Sequence, residues 1–171
     1  GKRNDKVIEA FAQFIQKTQF KSPILILFEY GIDINESKAL ISALEIEPYV
    51  RWMPKMERKH IMQGLSCANF GVDQLREGIC GIGGTSQEGL ASGVPLIPHT
   101  NGETSDPQSI YYRAAIVDVL SVSQIISVFE EYEENPEKFI ELKRQITTWY
   151  SEKFGLSAFK RYKELVDKVC G

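Results

Sequence analysis

Residues 23–31 read PILILFEYG. Ile24 to Phe28 are apolar without a break, and Gly31 ends the run. A strand with one wet face alternates apolar and polar residues; a parallel strand covered on both faces does not. The stretch therefore predicts a buried parallel strand, which requires crossover helices packed against a sheet.

The flanking sequence supplies them. NDKVIEAFAQFIQK (4–17) sets Val7, Ile8, Phe11, Phe14 and Ile15 at helical spacing. Asn4 is its expected N-cap, and Asp5 falls in the first turn, where the helix dipole favours an acid. ESKALISALEI predicts a second helix, PYVRWMP a short strand ended by Pro54, and KMERKHIMQGLS a third helix with Met56, His60, Ile61 and Leu65 toward one side. CANFGVD reads as a short strand. A long loop to Ser86, the short helix SQEGLASG and the strand VPLIPH follow. NGETSDPQS is turn-rich, and YYRAAIVDVL holds a last strand. Three helices close the chain, in SVSQIISVFEEYEE, PEKFIELKRQITTWYSEKF and LSAFKRYKELVDKV. Such alternation predicts an α/β fold: a Rossmann-like open parallel sheet with helices on both faces and extra C-terminal helices.

The chain has 171 residues, 43% of them hydrophobic and 25% charged, which suits one compact domain, residues 1–171. A sheet of this kind usually opens with a strand, whereas this sequence opens almost directly with a helical pattern. The expectation is a piece of a larger protein. A net charge of −3 gives no basic footprint for nucleic acid. No apolar run reaches the roughly 18 residues that span a bilayer, and GKRNDKVIEAF lacks the apolar core of a signal peptide. Cys67, Cys80 and Cys170 are widely spaced and fit no zinc or redox motif, which points to a reducing compartment. His60 and His99 are too few for a histidine metal site.

In open α/β sheets, ligands sit beyond the carboxyl ends of the strands, so the informative loops follow Tyr30, Trp52, Asp73 and His99. The third of these leads into CGIGGTSQEGLASGVPLI (80–97). Gly83, Gly84, Thr85 and Ser86 bring backbone N–H groups with little bulk to a helix start, which suits a phosphate or a sugar hydroxyl. Glu88, read in the first turn of that helix, is either a clamp for paired ribose hydroxyls or a helix-dipole acid. Lys2 and Arg3 precede the first helix, where the dipole disfavours cations. They serve an anion, or they are a solvated chain start. Trp52, Met53, Pro54 and Lys55 end a strand on the binding edge. Trp52 or Met53 packs on a base there, or Trp52 is core and the lysine is surface.

In this order the features resemble a known family: the C-terminal, nucleotide-sugar-binding domain of family 4 retaining glycosyltransferases, which have the two-domain GT-B fold. KRNDKVIEAF resembles the stretch in which a donor-phosphate lysine precedes "lIeAF", with Lys2 on that lysine and Arg3 where the family has Gly. YVRWMPKMERKHIMQGLSCANFGVDQ resembles "V.f.g.v…el…y..adv.v.ps". GGTSQEGLASGVPLI resembles "G...lEAmAsGvPvi", with Glu88 on the ribose-binding acid. EKFGLSAFKRYKELV resembles the closing "fsw......y..ly" helix. The family's other acid, eight residues before Glu88, falls on Cys80, and the nearest acid is Glu77.

The resemblance implies a donor domain that holds a UDP- or GDP-sugar, for transfer of a hexose-type sugar to a cell-surface or capsular polysaccharide. Anomeric configuration would be retained, with no cofactor or metal. Lys2, Arg3 and Gly83 to Ser86 would take the phosphates and sugar, Glu88 the ribose, Glu77 or Cys80 the sugar, and Trp52 to Lys55 the base. It further implies a preceding N-terminal acceptor-binding domain in the same protein, an isolated domain without transferase activity, and a cytoplasmic location with peripheral association at the inner face of the membrane. The cysteine at position 80 motivates the rival reading, a degenerate, non-catalytic binding or assembly module.

Overall fold

The computed structural model describes residues 2–78 and 82–170. Helix α1 (Asn4–Ile15) leads to strand β1 (Leu25–Phe28), α2 (Ile34–Ala43), a 3-10 turn at Glu47–Tyr49 and β2 (Val50–Met53). Then come α3 (Arg58–Cys67), β3 (Gly71–Val72), α4 (Gly84–Ser92) and β4 (Leu96–Ile97). Helices α5 (Val122–Glu134), α6 (Pro136–Phe154) and α7 (Leu156–Cys170) close the chain.

β1 pairs in parallel with β2, Leu25 opposite Val50, and β3 in parallel with β4, Gly71 opposite Leu96. The two pairs share one core. Leu25 and Leu27 of β1, Val50 and Trp52 of β2, Val72 of β3 and Ile97 of β4 pack with Val7, Ile8, Phe11 and Phe14 of α1 and Ile125 and Phe129 of α5. Alternate residues of a strand point to opposite faces. Ile97 accordingly enters this core while its neighbour Leu96 enters a second one, with Leu90 of α4 and Ile146 and Trp149 of α6. β4 therefore carries helices on both faces, as the α/β reading requires.

Three expectations need correction. First, β1 is not covered on both faces: Ile24 and Ile26 are 52% and 54% exposed. Leu25 and Leu27 meet the core, whereas on the opposite side only Phe28 is half-buried. Second, no strand forms within YYRAAIVDVL. Val117 and Val119 still donate backbone N–H bonds to the carbonyls of Leu96 and Pro98, so this segment runs along the outer edge of β4 as irregular chain. Third, α1 is capped by Arg3 rather than Asn4. Arg3 adopts the left-handed conformation (φ 64°), and no side chain caps the helix. Asn4 already lies in the first turn because the tight bend at Arg3 starts the helix one residue earlier than side-chain preference suggests.

Candidate functional site

Asp73 follows β3 directly, at the carboxyl end of the strand, and is 3% exposed. Helix α4 begins at Gly84 with Gly83 as N-cap. Glycine has no side chain to accept from the first-turn amides, so an acceptor must come from elsewhere. Asp73 provides it: Oδ2 accepts from the backbone N–H of Ser86 (3.0 Å) and from its hydroxyl (2.8 Å), and Ser86 is fully buried. Oδ1 accepts from Lys2 Nζ at 2.7 Å, and Lys2 Nζ also donates to Thr85 Oγ1 at 2.8 Å. The approach is close. A Cβ on Gly83 would stand 3.3 Å from Gln74 Nε2 and 3.6 Å from Asp73 Oδ2, so glycine suits the position for space rather than for an unusual φ.

The result is a compact polar junction joining the heads of α1 and α4 to the end of β3. Lys6 reinforces it from α1, with Nζ donating to the carbonyls of Leu75 and Leu120. Beside it, Asp118 Oδ1 contacts His99 Nδ1 and accepts from the Thr100 N–H, both at 3.0 Å, while Oδ2 accepts from the Thr100 hydroxyl. The His99 amide donates to Gln74 O at 2.7 Å, so the ends of β3 and β4 are tied together.

Of the residues singled out in the sequence, the structure brings Lys2, Gly83, Gly84, Thr85 and Ser86 to this junction. It does not bring Arg3 there. Arg3 forms a bidentate pair with Asp5 (2.7–3.0 Å) on a groove that Asp33 and Glu36 also line, so the local field there is acidic. Hydrogen bonding from Arg3, opposed in part by burial, holds the Asp5 carboxyl below its ordinary value. A depressed folded value means that the pair adds stability above the unfolded value of about 3.8 and loses it as pH falls through the folded one. Replacing Arg3 with Asn, which tolerates left-handed backbone, is expected to move the Asp5 titration back up, as read by NMR of its side-chain carboxyl. An unchanged titration would assign the shift to the helix terminus instead.

Glu88 lies in the second turn of α4, not the first, because the helix starts at Gly84, ahead of the expected Ser86. That removes the helix-dipole account of this acid. Its side chain is 18% exposed and forms an ion pair with Arg58, at the head of α3, Oε1 standing 3.0 Å from Nε. Trp52 is half-buried against the main core, with Lys38 Nζ 5.1 Å from its ring centroid. Met53 is half-buried, and Pro54 and Lys55 are exposed. Trp52 is thus explained by packing and by a cation over its face. Glu77 is exposed in a turn, and Cys80 lies outside the described residues.

Asp73 and Arg58 were missed by sequence reasoning. The signal for Asp73 was present: an acid closing the apolar stretch CANFGVD, at the edge where ligands sit. Arg58 carried none, since a cation among RKH at a helix start reads as surface.

No family model matches the sequence, and no curated protein matches it either. Among solved structures, the chain is similar to the pneumococcal O-GlcNAc transferase GtfA, solved in complex with UDP and GlcNAc. The TM-score is 0.68 at 18% identity, over 98% of this chain and 33% of that one. The chain thus spans about a third of the length of the structure it matches. At this identity the likeness is one of fold, a Rossmann-like half of the GT-B type. No described helix is long and apolar enough to cross a membrane.

Proposed function

We propose that this chain is the nucleotide-sugar-binding domain of a retaining glycosyltransferase of the family 4 type, which passes a hexose-type sugar to a cell-surface or capsular polysaccharide. One observation carries the reading. Lys2 Nζ, Thr85 Oγ1 and the first-turn amides of α4 converge beyond the end of β3. A cation beside helix N–H groups is what an anionic diphosphate needs. The fold adds support, since GtfA, which it resembles, is an O-GlcNAc transferase crystallised with UDP and GlcNAc.

In this reading the donor's diphosphate lies against Lys2, Thr85 and the amides of Gly84 and Thr85, which intrahelical bonds cannot satisfy. Glu88 accepts from the ribose hydroxyls once Arg58 turns aside. Glu77 or Cys80 takes the sugar, and Trp52, Met53, Pro54 and Lys55 take the base. As the bond from the anomeric carbon to the diphosphate oxygen breaks, the diphosphate keeps the electron pair. The acceptor oxygen bonds to the same face of that carbon and passes its proton to the departing diphosphate oxygen. Lys2 and the α4 amides stabilise the charge that develops on the leaving group, and no metal or cofactor is required. The acceptor is held by an N-terminal domain of the same protein, and the whole enzyme works in the cytoplasm at the inner face of the membrane.

The isolated chain is expected to bind UDP or GDP weakly and to transfer no sugar. Calorimetric titration with UDP, GDP, ADP and inorganic diphosphate tests this. Glu88→Gln should weaken the nucleotides about tenfold, the scale of one lost charge-assisted bond, and leave inorganic diphosphate unchanged. No heat or thermal shift with any of the four at millimolar concentration would exclude a working donor site.

One observation favours the degenerate-module reading. Asp73 already supplies the anion to Lys2 and to the Ser86 amide. A site filled by its own carboxylate has less to offer a phosphate. That reading expects no nucleotide binding in the native chain, and none after Cys80→Glu.

A further inference from the structure

Two cations from elsewhere in the chain reach one face of α4. Lys2 Nζ lies 2.8 Å from Thr85 Oγ1, and Arg58 Nε lies 3.0 Å from Glu88 Oε1. Thr85 and Glu88 are three residues apart, so they are neighbours on the helix surface. Each cation already has a carboxylate, Asp73 for Lys2 and Glu88 for Arg58. Together the two pairs carry no net charge, which gives little attraction to a diphosphate.

The two carboxylates differ in how firmly they are held. The Asp73 side chain is 1% exposed and accepts from the amide and the hydroxyl of buried Ser86. Moving it would strand both Ser86 donors, so Lys2 keeps its counter-ion. Arg58, by contrast, is 66% exposed. An ion pair with so open a partner holds weakly, because water and salt compete for the cation. Glu88 also has a substitute within reach of the chemistry: two adjacent hydroxyls can donate to a carboxylate as a guanidinium does. The neighbouring cation at the head of α3, Lys59, pairs with Glu57 at 2.9 Å instead.

We propose that Arg58 is a phosphate-binding cation delivered by exchange of partners at Glu88, an inference that rests on the donor reading above. The ribose hydroxyls take Glu88 and release Arg58. The freed guanidinium crosses about one helical turn, roughly 5 Å, to the diphosphate beside Thr85. There its planar fork pairs with phosphate oxygens. The face of α4 therefore gains a positive charge only when one ligand brings both a ribose and a diphosphate. A nucleoside displaces Arg58 and offers it no anion. Inorganic diphosphate leaves Arg58 on Glu88. Arg58 thus makes the site select nucleoside diphosphates over either half alone.

NMR titration of the native chain, Arg58→Gln and Arg58→Lys with UDP, GDP, uridine and inorganic diphosphate tests the exchange. Arg58→Gln should weaken the nucleoside diphosphates about tenfold, the scale of one lost charge-assisted bond. It should weaken neither uridine nor inorganic diphosphate, and an unchanged Ser86 amide resonance would show that the α4 junction is intact. Arg58→Lys keeps the charge and loses the fork, so it should fall between the native chain and Arg58→Gln. Two outcomes overturn the exchange while leaving the donor reading in place. One is nucleoside diphosphate binding by Arg58→Gln that is unchanged or tighter, which would make Arg58 a plug on Glu88. The other is equal weakening of UDP and inorganic diphosphate, which would mean that Arg58 meets phosphate without help from the ribose. Absence of UDP and GDP binding in the native chain itself overturns the donor reading, and this inference with it.

Discussion

Replacing Asp73 with alanine is expected to lower the unfolding free energy by about 3 kcal/mol, a Tm drop of roughly 10 °C for a chain of this size. Three partners lose their acceptor at once: Lys2 Nζ, the Ser86 amide and the Ser86 hydroxyl. They do not lose equally. The Lys2 side chain is 49% exposed and can return to water, so its share is small. Ser86 is fully buried, and its two donors would be stranded, each costing about 1–3 kcal/mol. Asp73→Asn separates the two effects. Its side-chain oxygen can still accept from Ser86, while the charge opposite Lys2 is gone, so it should recover most of the stability. If alanine and asparagine destabilise equally, the ion pair matters more than the capping of α4. The same asparagine variant bears on function: with the competing carboxylate neutralised, the donor reading expects tighter binding of inorganic diphosphate, and the degenerate-module reading expects none.

The fold was legible where one physical signal dominated. The unbroken run at Ile24–Phe28 marked β1, and the 3.6-residue spacing of Val7, Ile8, Phe11 and Phe14 marked α1. Pro136 at the first position of α6 set its start correctly at both levels. The errors arise where backbone context outweighs side-chain preference. Gly83 and Gly84 carry no capping side chain, so sequence placed the α4 start at Ser86. In the structure Asp73, thirteen residues away in sequence, does the capping, and the helix starts earlier. That shift alone moves Glu88 from a dipole position to a contact with Arg58. The Lys2 and Arg3 cations read as partners for an anion or as a solvated chain start, but both find acids within the chain, Asp73 and Asp5. Apolar pattern reports what a segment buries; it does not report which distant carboxylate folds back onto it.

Gly89→Val is expected to cost about 3 kcal/mol, at the upper end of core overpacking. A Cβ at position 89 would stand 2.4 Å from Leu96 Cδ2 and 3.0 Å from its Cγ. Leu96 cannot yield, because it is 1% exposed, and a Cβ on Gly71 would meet the same Cδ2 at 3.0 Å. The two glycines hold Leu96 between α4 and β3. Replacing glycine by alanine inside a helix normally gains about 1 kcal/mol, but here the clash is set against it, so Gly89→Ala should still destabilise by about 1 kcal/mol. The motif that GGTSQEGLASGVPLI resembles carries Ala and Val at positions 89 and 96. Leu96→Val removes the carbon that blocks the new methyl group. The double variant Gly89→Ala/Leu96→Val should therefore be more stable than the sum of its single changes requires, by about 1 kcal/mol in a double-mutant cycle. Additivity within about 0.4 kcal/mol would mean that the two positions are not coupled. Because α4 presents Thr85 and Ser86 to Lys2 and Asp73, a helix pushed off β4 by valine should also loosen that junction. Faster exchange at the Ser86 amide would report it, and unchanged exchange would separate the packing of α4 from the geometry of the site.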